Sequence, residues 1–358
     1  MFKNAIIFRI NDDWEVPPVA ALQEALEMAK FESCGATQRE SFGWVEPRGE
    51  QHGPLVESVG GELILKLMGE SKMLPSSVVK ERLEERCKKV EADTGRKPGS
   101  KAKKELKEQV ELELLPQAFT KKGATLMWVS PKSKFIVIDA GSIKKADRLT
   151  HQLIEALSRI GSSITLRPVN TKTSPATAMS LWLTEMEAPA GFSVDRDCEL
   201  KAPDGEKATV RYARHTLDIE EVVEHIKVQG KIPTKLAMTH DGRVSFVLAD
   251  DLSLKKVELL DVVLEGSKKE DSGFDADVAI VTGEMSKLIP SLIEALGGES
   301  LLGDDAGDVR AAGEAVAGDG EQPESQASGA DRVPDDAPSQ ASGDADHAEE
   351  DFAVEEAA

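Results

Sequence analysis

The sequence is poor in cysteine and in aromatic residues, and it has no long hydrophobic run. Its 358 residues include three cysteines, one tyrosine and four tryptophans, and the aromatic share is 4%. Cysteines that are few, far apart and never in a C-x-x-C pair argue against a disulfide framework or a cysteine zinc site. No apolar run approaches the roughly 18 residues that cross a bilayer. The first ten residues resemble a strand more than a secretory signal, so a cytoplasmic protein is expected.

Signatures of common enzyme active sites are also missing. The sequence has no G-x-x-x-x-G-K-[ST], G-x-G-x-x-G, G-x-S-x-G or H-E-x-x-H motif. Its histidines show no metal-ligand spacing. Acidic pairs at 12–13, 250–251 and 275/277 could hold a divalent ion, but turns and helix caps explain them more simply. We predict no catalytic residue, metal or cofactor, and a metal-dependent nuclease is the weakest of the alternatives.

Negative charge is unevenly distributed along the chain. The net charge is −21, yet residues 299–358 alone hold 18 acidic residues against two arginines. The remaining residues, 1–298, hold 47 acidic and 42 basic side chains. Since the terminal segment is rich in small and polar residues and has few apolar ones, it predicts a disordered acidic tail. Binding to a polyanion must therefore be judged from residues 1–298.

Residues 1–298 alternate between strand-like and helical patterns. Predicted strands lie at 5–10, 62–68, 125–129, 135–139, 209–213, 234–239, 244–249, 257–260 and 278–281. Helical periodicity lies at 18–30, 76–92, 100–115, 143–159, 218–228 and 285–296. Strands in blocks joined by tight turns predict an α+β fold with antiparallel sheets and amphipathic helices. We divide it into an N-terminal α+β region, 1–170, and a C-terminal one, 171–298.

The most informative segment is a predicted basic helical hairpin at about 75–116. Apolar residues follow each other at steps of three and four along both helices, which predicts one buried face. Eleven basic and six acidic residues lie between positions 80 and 107, and further lysines follow at 121, 122, 132, 134, 144 and 145. Long cationic side chains at repeated spacing can contact successive DNA phosphates. An ordinary solvent-exposed helical hairpin gives the same pattern. The candidate phosphate-binding residues are Lys80, Arg96, Lys97, Lys101, Lys103, Lys104, Lys107, Lys121 and Lys122.

A second basic group lies near residues 211–216. Arg211, Arg214 and His215 lie at the end of a predicted strand, where they form either a basic fingertip that binds DNA or a plain exposed strand end. Because the few aromatic residues lie mostly in apolar segments, few are free to stack on unpaired bases. Duplex DNA is therefore favoured over a single strand.

Short segments spread over residues 1–298 together resemble one known family. Each is weak alone, but their order along the chain is specific. They are GWV at 43–45, LPSSVVK at 74–80, LLPQAF at 114–119, IVID at 136–139, SIKKAD at 142–147, TKLA at 234–237, FVLADDLSLK at 246–255 and FDAD at 274–277. The chain thus resembles the RdgC family of bacterial recombination-associated proteins.

This resemblance implies a function and an assembly. The family implies a ring-shaped homodimer that encircles double-stranded DNA with little sequence preference, at the nucleoid, and limits access of RecA to DNA. It also implies that Phe119 anchors a dimer contact. Arg214 and His215 stand where the family often has Lys-Gln, and Gln117 stands where a basic residue is common. The alternative is a protein-interaction scaffold whose basic hairpin contacts an acidic partner.

Overall fold

The computed structural model describes residues 2–203, 208–265 and 273–300. The predicted acidic tail therefore lies outside the described residues, apart from Glu299 and Ser300. Within the described part of the chain, no helix is long and apolar enough to cross a membrane.

Twelve strands among the described residues form the sheet. They are β1 Asn4–Ile10, β2 Glu40–Val45, β3 Val56–Val59, β4 Glu62–Met73, β5 Phe119–Ser130, β6 Phe135–Ile138, β7 Leu166–Pro168, β8 Phe192–Lys201, β9 Thr209–Tyr212, β10 Ile232–His240, β11 Val244–Ala249 and β12 Leu254–Leu259.

Helices connect the strands or follow them. They are α1 Val19–Glu27, α2 Ser76–Thr94, α3 Ser100–Leu114, α4 Ile143–Arg159, α5 Pro175–Glu185, α6 Glu220–Lys227, α7 Asp261–Glu265 and α8 Phe274–Ala295. A short 3₁₀ turn, Leu115–Gln117, leads from α3 into β5. Proline at 116 explains this ending, because it cannot continue the α-helical hydrogen bonds.

The strands pair in the order β2-β4-β5-β6-β1-β12-β11-β10-β8-β9, with β3 beside β4 and β7 beside β1. Each of these pairs is antiparallel. The predicted α+β fold with antiparallel strands is therefore confirmed. The two regions inferred from the sequence share this one sheet, and β1 joins them by pairing with β6 on one side and β12 on the other.

Two hydrophobic cores lie on opposite faces of the sheet. Successive side chains of a strand point to opposite faces, and β1 shows this directly. Its Ala5 and Ile7 pack in one core, whereas Ile6, Phe8 and Ile10 pack in the other. Because β1 is covered on both faces, it is a nearly continuous apolar run.

Different helices cover the two faces. Helices α1 and α4 contribute Leu22, Leu26, Leu149 and Leu153 to the core under the N-terminal strands. Helices α5, α6 and α8 contribute Trp182, Val222 and Leu288 to the core on the opposite face. The second core also includes Ile64 and Trp128 of the N-terminal strands, so these strands are buried on both faces.

The structure corrects several sequence-based assignments. The predicted strand at 278–281 lies inside α8, which begins at Phe274 rather than at 285. Valine and isoleucine favour strands, but buried Val278, Val281, Met285 and Leu288 follow a helical spacing that decides the outcome. The sequence patterns did not predict β2, β3, β7, β8, α5 or α7, and they placed the start of β5 six residues late.

Candidate nucleic-acid interface

The predicted helical hairpin is formed by α2 and α3. Val79, Leu83 and Val110 are buried at its base, whereas Ala102 farther along is exposed. Gly95 ends α2 with a φ of 70°, a left-handed conformation that glycine adopts without strain. The fully buried part of the expected face is therefore limited to the base of the hairpin, and farther along Cys87, Val90 and Leu106 are half-buried.

Most predicted phosphate-binding residues of the α2–α3 hairpin are exposed and free of ion pairs. Within the described residues no carboxylate lies within 4.0 Å of their cationic groups, except for Lys107, which is 4.0 Å from Glu111. Other cations of the hairpin are neutralised, since Arg86 contacts Glu113 at 2.7 Å. The unpaired exposed residues are Lys80, Arg96, Lys97, Lys101, Lys103 and Lys104.

Phe119 lies at the start of β5, directly after the hairpin. Its side chain is 82% exposed, and it lies opposite Met73 of β4, which is 49% exposed. Two large apolar side chains paired across adjacent strands form a small hydrophobic patch. Such a patch is stabilised when another surface covers it.

Lys121 and Lys122 lie on β5 beside other basic residues. Together with Lys144, Lys145 and Arg148 of α4 they line a cleft of about 400 Å³. Lys122 is 3.8 Å from Glu70, whereas Lys121, Lys144 and Lys145 lack an ion pair in the described part of the chain. The fold therefore brings lysines that are about 20 positions apart in sequence to one site.

The C-terminal basic group differs, because Arg211 is held by a buried carboxylate. Cross-strand register places Arg211 and Lys235 on either side of Glu199. The Glu199 oxygens lie 2.7 Å from Arg211, 3.2 Å from Lys235 and 3.3 Å from Lys201. Burial opposes ionisation of Glu199, but hydrogen bonds from Arg211, Lys235 and Thr234 outweigh it and lower its pKa to about 2. We call these four charged residues the Glu199 cluster.

Arg214 and His215 form an exposed turn after β9. Arg214 has a φ of 54°, and its backbone N–H donates to Asp197 at 2.7 Å. The His215 ring lies with Nδ1 2.7 Å from the Thr216 carbonyl oxygen. Both side chains are exposed to solvent at this turn.

Sequence reasoning missed Lys201 and Lys235 as neighbours of Arg211. Lys201 is two residues from Glu199 on β8, so alternation alone places it on the same face. Only the register of β8 with its neighbours brings Lys235 and Arg211 to Glu199. Strand pairing of this kind depends on the whole sheet.

The acidic pairs have structural partners. Asp275 contacts Arg48 at 2.5 Å, and Asp251 accepts a hydrogen bond from the Ser253 N–H at 3.0 Å. In the ranges that the structure describes, no group of three or more His, Cys, Asp or Glu side chains could hold a metal ion.

The fold defines the class: an α+β protein with an antiparallel sheet and, among the described residues, exposed cations without ion pairs. Comparison with known sequences narrows this class. Residues 1–299 match a family described as "Putative exonuclease, RdgC". The chain belongs to the RdgC family.

Named relatives agree with this assignment. A recombination-associated protein RdgC from Dechloromonas aromatica is 44% identical over 305 residues, which cover 83% of this chain and 98% of the relative. The proteins of the same name from a Janthinobacterium species and from Cupriavidus pinatubonensis are 40% and 41% identical, with the same shares covered. The predicted family is therefore confirmed.

Proposed function

We propose that this protein binds double-stranded DNA without sequence specificity, as a homodimer that encircles the duplex. In this proposal it acts at the nucleoid in homologous recombination and limits access of RecA to DNA. The names of its relatives support a role associated with recombination.

The unpaired cations of the α2–α3 hairpin carry this proposal. A lysine or arginine that already has a carboxylate partner gains little from a phosphate, whereas Lys101, Lys103 and Lys104 are free to neutralise one. Lysine contacts with phosphates carry no base information. The expected binding is therefore strong at low salt and similar for all duplex sequences.

The exposed Phe119 supports the dimer. A second copy that covered the patch of Phe119 and Met73 would remove two large apolar side chains from water. A closed assembly also fits a protein of net charge −21, because positive charge on an inner surface can attract DNA while the outer surface stays acidic.

The test is a titration of two unrelated duplexes with the full chain at several salt concentrations, together with the mass in solution. Equal affinities, a steep loss of affinity with salt and a dimeric mass are expected. Absence of duplex binding at low salt would contradict the proposal. Binding to an acidic protein partner instead would then favour the interaction scaffold.

A second candidate function, an exonuclease, has one specific observation in its favour, the description of the matching family. We propose that the protein is not an enzyme, because Asp275 and Asp251 are engaged by Arg48 and by the backbone of Ser253. Incubation of end-labelled duplex with Mg²⁺ or Mn²⁺ distinguishes the two. Shortening of the labelled duplex by an activity that co-purifies with the protein would establish the nuclease.

A further inference from the structure

The cleft between β5 and α4 is lined by more positive than negative charge. Five cationic side chains and two carboxylates line it, a surplus of three positive charges. Both carboxylates are already engaged. Glu40 contacts Arg148 at 3.0 Å, and Glu70, only 3% exposed, accepts a hydrogen bond from the Cys34 N–H at 2.7 Å. The surplus charge therefore belongs to the lysines.

Two glycines shape the floor of the cleft. Gly69 of β4 and Gly123 of β5 lie directly opposite each other in the sheet. A Cβ atom at Gly69 would lie 2.7 Å from the Phe42 ring, so only glycine lets this ring pack against the strand. At Gly123 a Cβ would meet no atom within 4 Å, so the floor beside it is open.

The Phe42 ring positions one of the cations. The Arg148 guanidinium carbon lies 4.2 Å from the centre of this ring, and Glu40 holds the same group. An arginine fixed between an aromatic face and a carboxylate loses little conformational freedom when it contacts an anion. Lys121, Lys144 and Lys145 are exposed around it and have no ion pair among the described residues.

The first turn of α4 carries positive and no negative side-chain charge. A helix N-terminus carries partial positive charge and is normally stabilised by acidic residues or a side-chain cap. Here Ser142 makes no capping hydrogen bond, the turn contains no acidic residue, and Lys144 and Lys145 add positive charge. An anion in the cleft would relieve this repulsion.

We propose that the β5–α4 cleft binds backbone phosphates of duplex DNA. This inference rests on the proposed function and adds a site that is separate from the α2–α3 hairpin. The duplex lies with one strand along the cleft, where Lys121, Lys144 and Lys145 neutralise successive phosphates and Arg148 contacts one of them.

The test replaces Lys121, Lys144 and Lys145 by glutamine and compares the variant with a matched control. The control, Lys3→Gln, Lys172→Gln and Lys227→Gln, removes the same charge from exposed lysines outside the cleft. Each lost phosphate contact should lower the slope of log affinity against log salt by about 0.9, so the cleft variant should lose roughly two to three. Its affinity should fall about 10- to 100-fold at low salt, and that of the control less than about threefold.

Two outcomes separate this inference from the proposed function. If the unmodified protein binds duplex DNA and the cleft variant binds no more weakly than the control, the cleft assignment is wrong while the proposed function stands. If the unmodified protein does not bind duplex DNA, the proposed function itself fails. Unchanged thermal unfolding of both variants establishes that they fold.

A second measurement uses the unmodified full chain. Acetylation of lysines, read by mass spectrometry, should be slowed at Lys144 and Lys145 by duplex DNA and not by inorganic phosphate at the same ionic strength. Equal protection by inorganic phosphate would overturn the assignment to a DNA backbone, and so would absence of protection under conditions in which the protein is saturated with duplex.

Discussion

Two groups of basic residues, one in each half of the sheet, differ in whether carboxylates pair with them. Along the N-terminal half, Lys101, Lys121 and Lys144 are exposed and lack ion pairs in the described residues. On the C-terminal half, Arg211 and Lys235 converge on Glu199. Both groups look alike as basic residues in the sequence, yet only the first is free to bind an anion.

Burial explains why the Glu199 cluster is structural. The Glu199 side chain is 4% exposed, and a buried carboxylate is costly unless charged partners compensate for its lost hydration. Arg211 and Lys235 supply that compensation. If the protein binds DNA as proposed, unpaired cations and not the total number of cations should mark where the phosphates bind.

The largest expected effect is on dimer stability, and it compares an exposed apolar residue of the N-terminal half, Phe119, with one of the C-terminal half, Val228. Phe119→Ala should weaken the dimer by about 2 kcal/mol, roughly a 30-fold rise in its dissociation constant, because a buried aromatic anchor is lost. Val228→Ala is the matched control, since Val228 in the C-terminal half is 76% exposed. Sedimentation at low micromolar concentration measures both variants. An unchanged mass for Phe119→Ala would remove Phe119 from the dimer contact.

The second prediction breaks the Glu199 cluster. Glu199→Gln should lower the free energy of unfolding by about 1–2 kcal/mol at pH 7, since Arg211, Lys201 and Lys235 then repel one another without a carboxylate between them. Glu224→Gln on the exposed face of α6 should change it by less than about 0.5 kcal/mol. Urea unfolding measures both. Equal stabilities would show that the cluster does not stabilise the fold.

The difference in unfolding free energy between the wild type and Glu199→Gln should depend on pH in a definite direction. The pKa of Glu199 is lowered to about 2 in the folded protein from an ordinary value of 4.5. A lowered carboxyl pKa stabilises the folded state above pH 4.5, and this contribution is lost as the pH falls toward 2. The advantage of the wild type over Glu199→Gln should therefore be full at pH 7 and shrink between about pH 4.5 and 2.

These contrasts also show what the sequence could predict. The helical hairpin and α4 have strong periodicity, and α4 was predicted at its observed bounds, Ile143–Arg159. Local patterns could not reveal the cleft, because Gly69, Phe42 and Lys144 meet only through the pairing of β2, β4 and β5 and the packing of α4. They could not reveal that Arg211 is neutralised, since Glu199 is 12 positions away and on another strand.

The third prediction tests the N-terminal half alone. Replacement of Lys101, Lys104 and Lys107 by alanine should lower the affinity for two unrelated duplexes equally, by about 10-fold at low salt. The salt slope should fall by about two rather than three, because Lys107 already lies 4.0 Å from Glu111. Filter binding at four salt concentrations gives both values. A loss confined to one duplex sequence would contradict contacts made only with phosphates.

The smallest expected effect is the difference between removing an unpaired arginine and removing one that a carboxylate holds. Arg96→Ala removes an unpaired arginine from the hairpin loop, and Arg211→Ala removes one that is 66% exposed but held by Glu199 at 2.7 Å. Arg96→Ala should lower the salt slope by about 0.9. Arg211→Ala should lower it by less than half of that, because Glu199 already compensates the charge. If Arg211→Ala had the larger effect, the Glu199 cluster would be a DNA contact, and exposure would matter more than pairing.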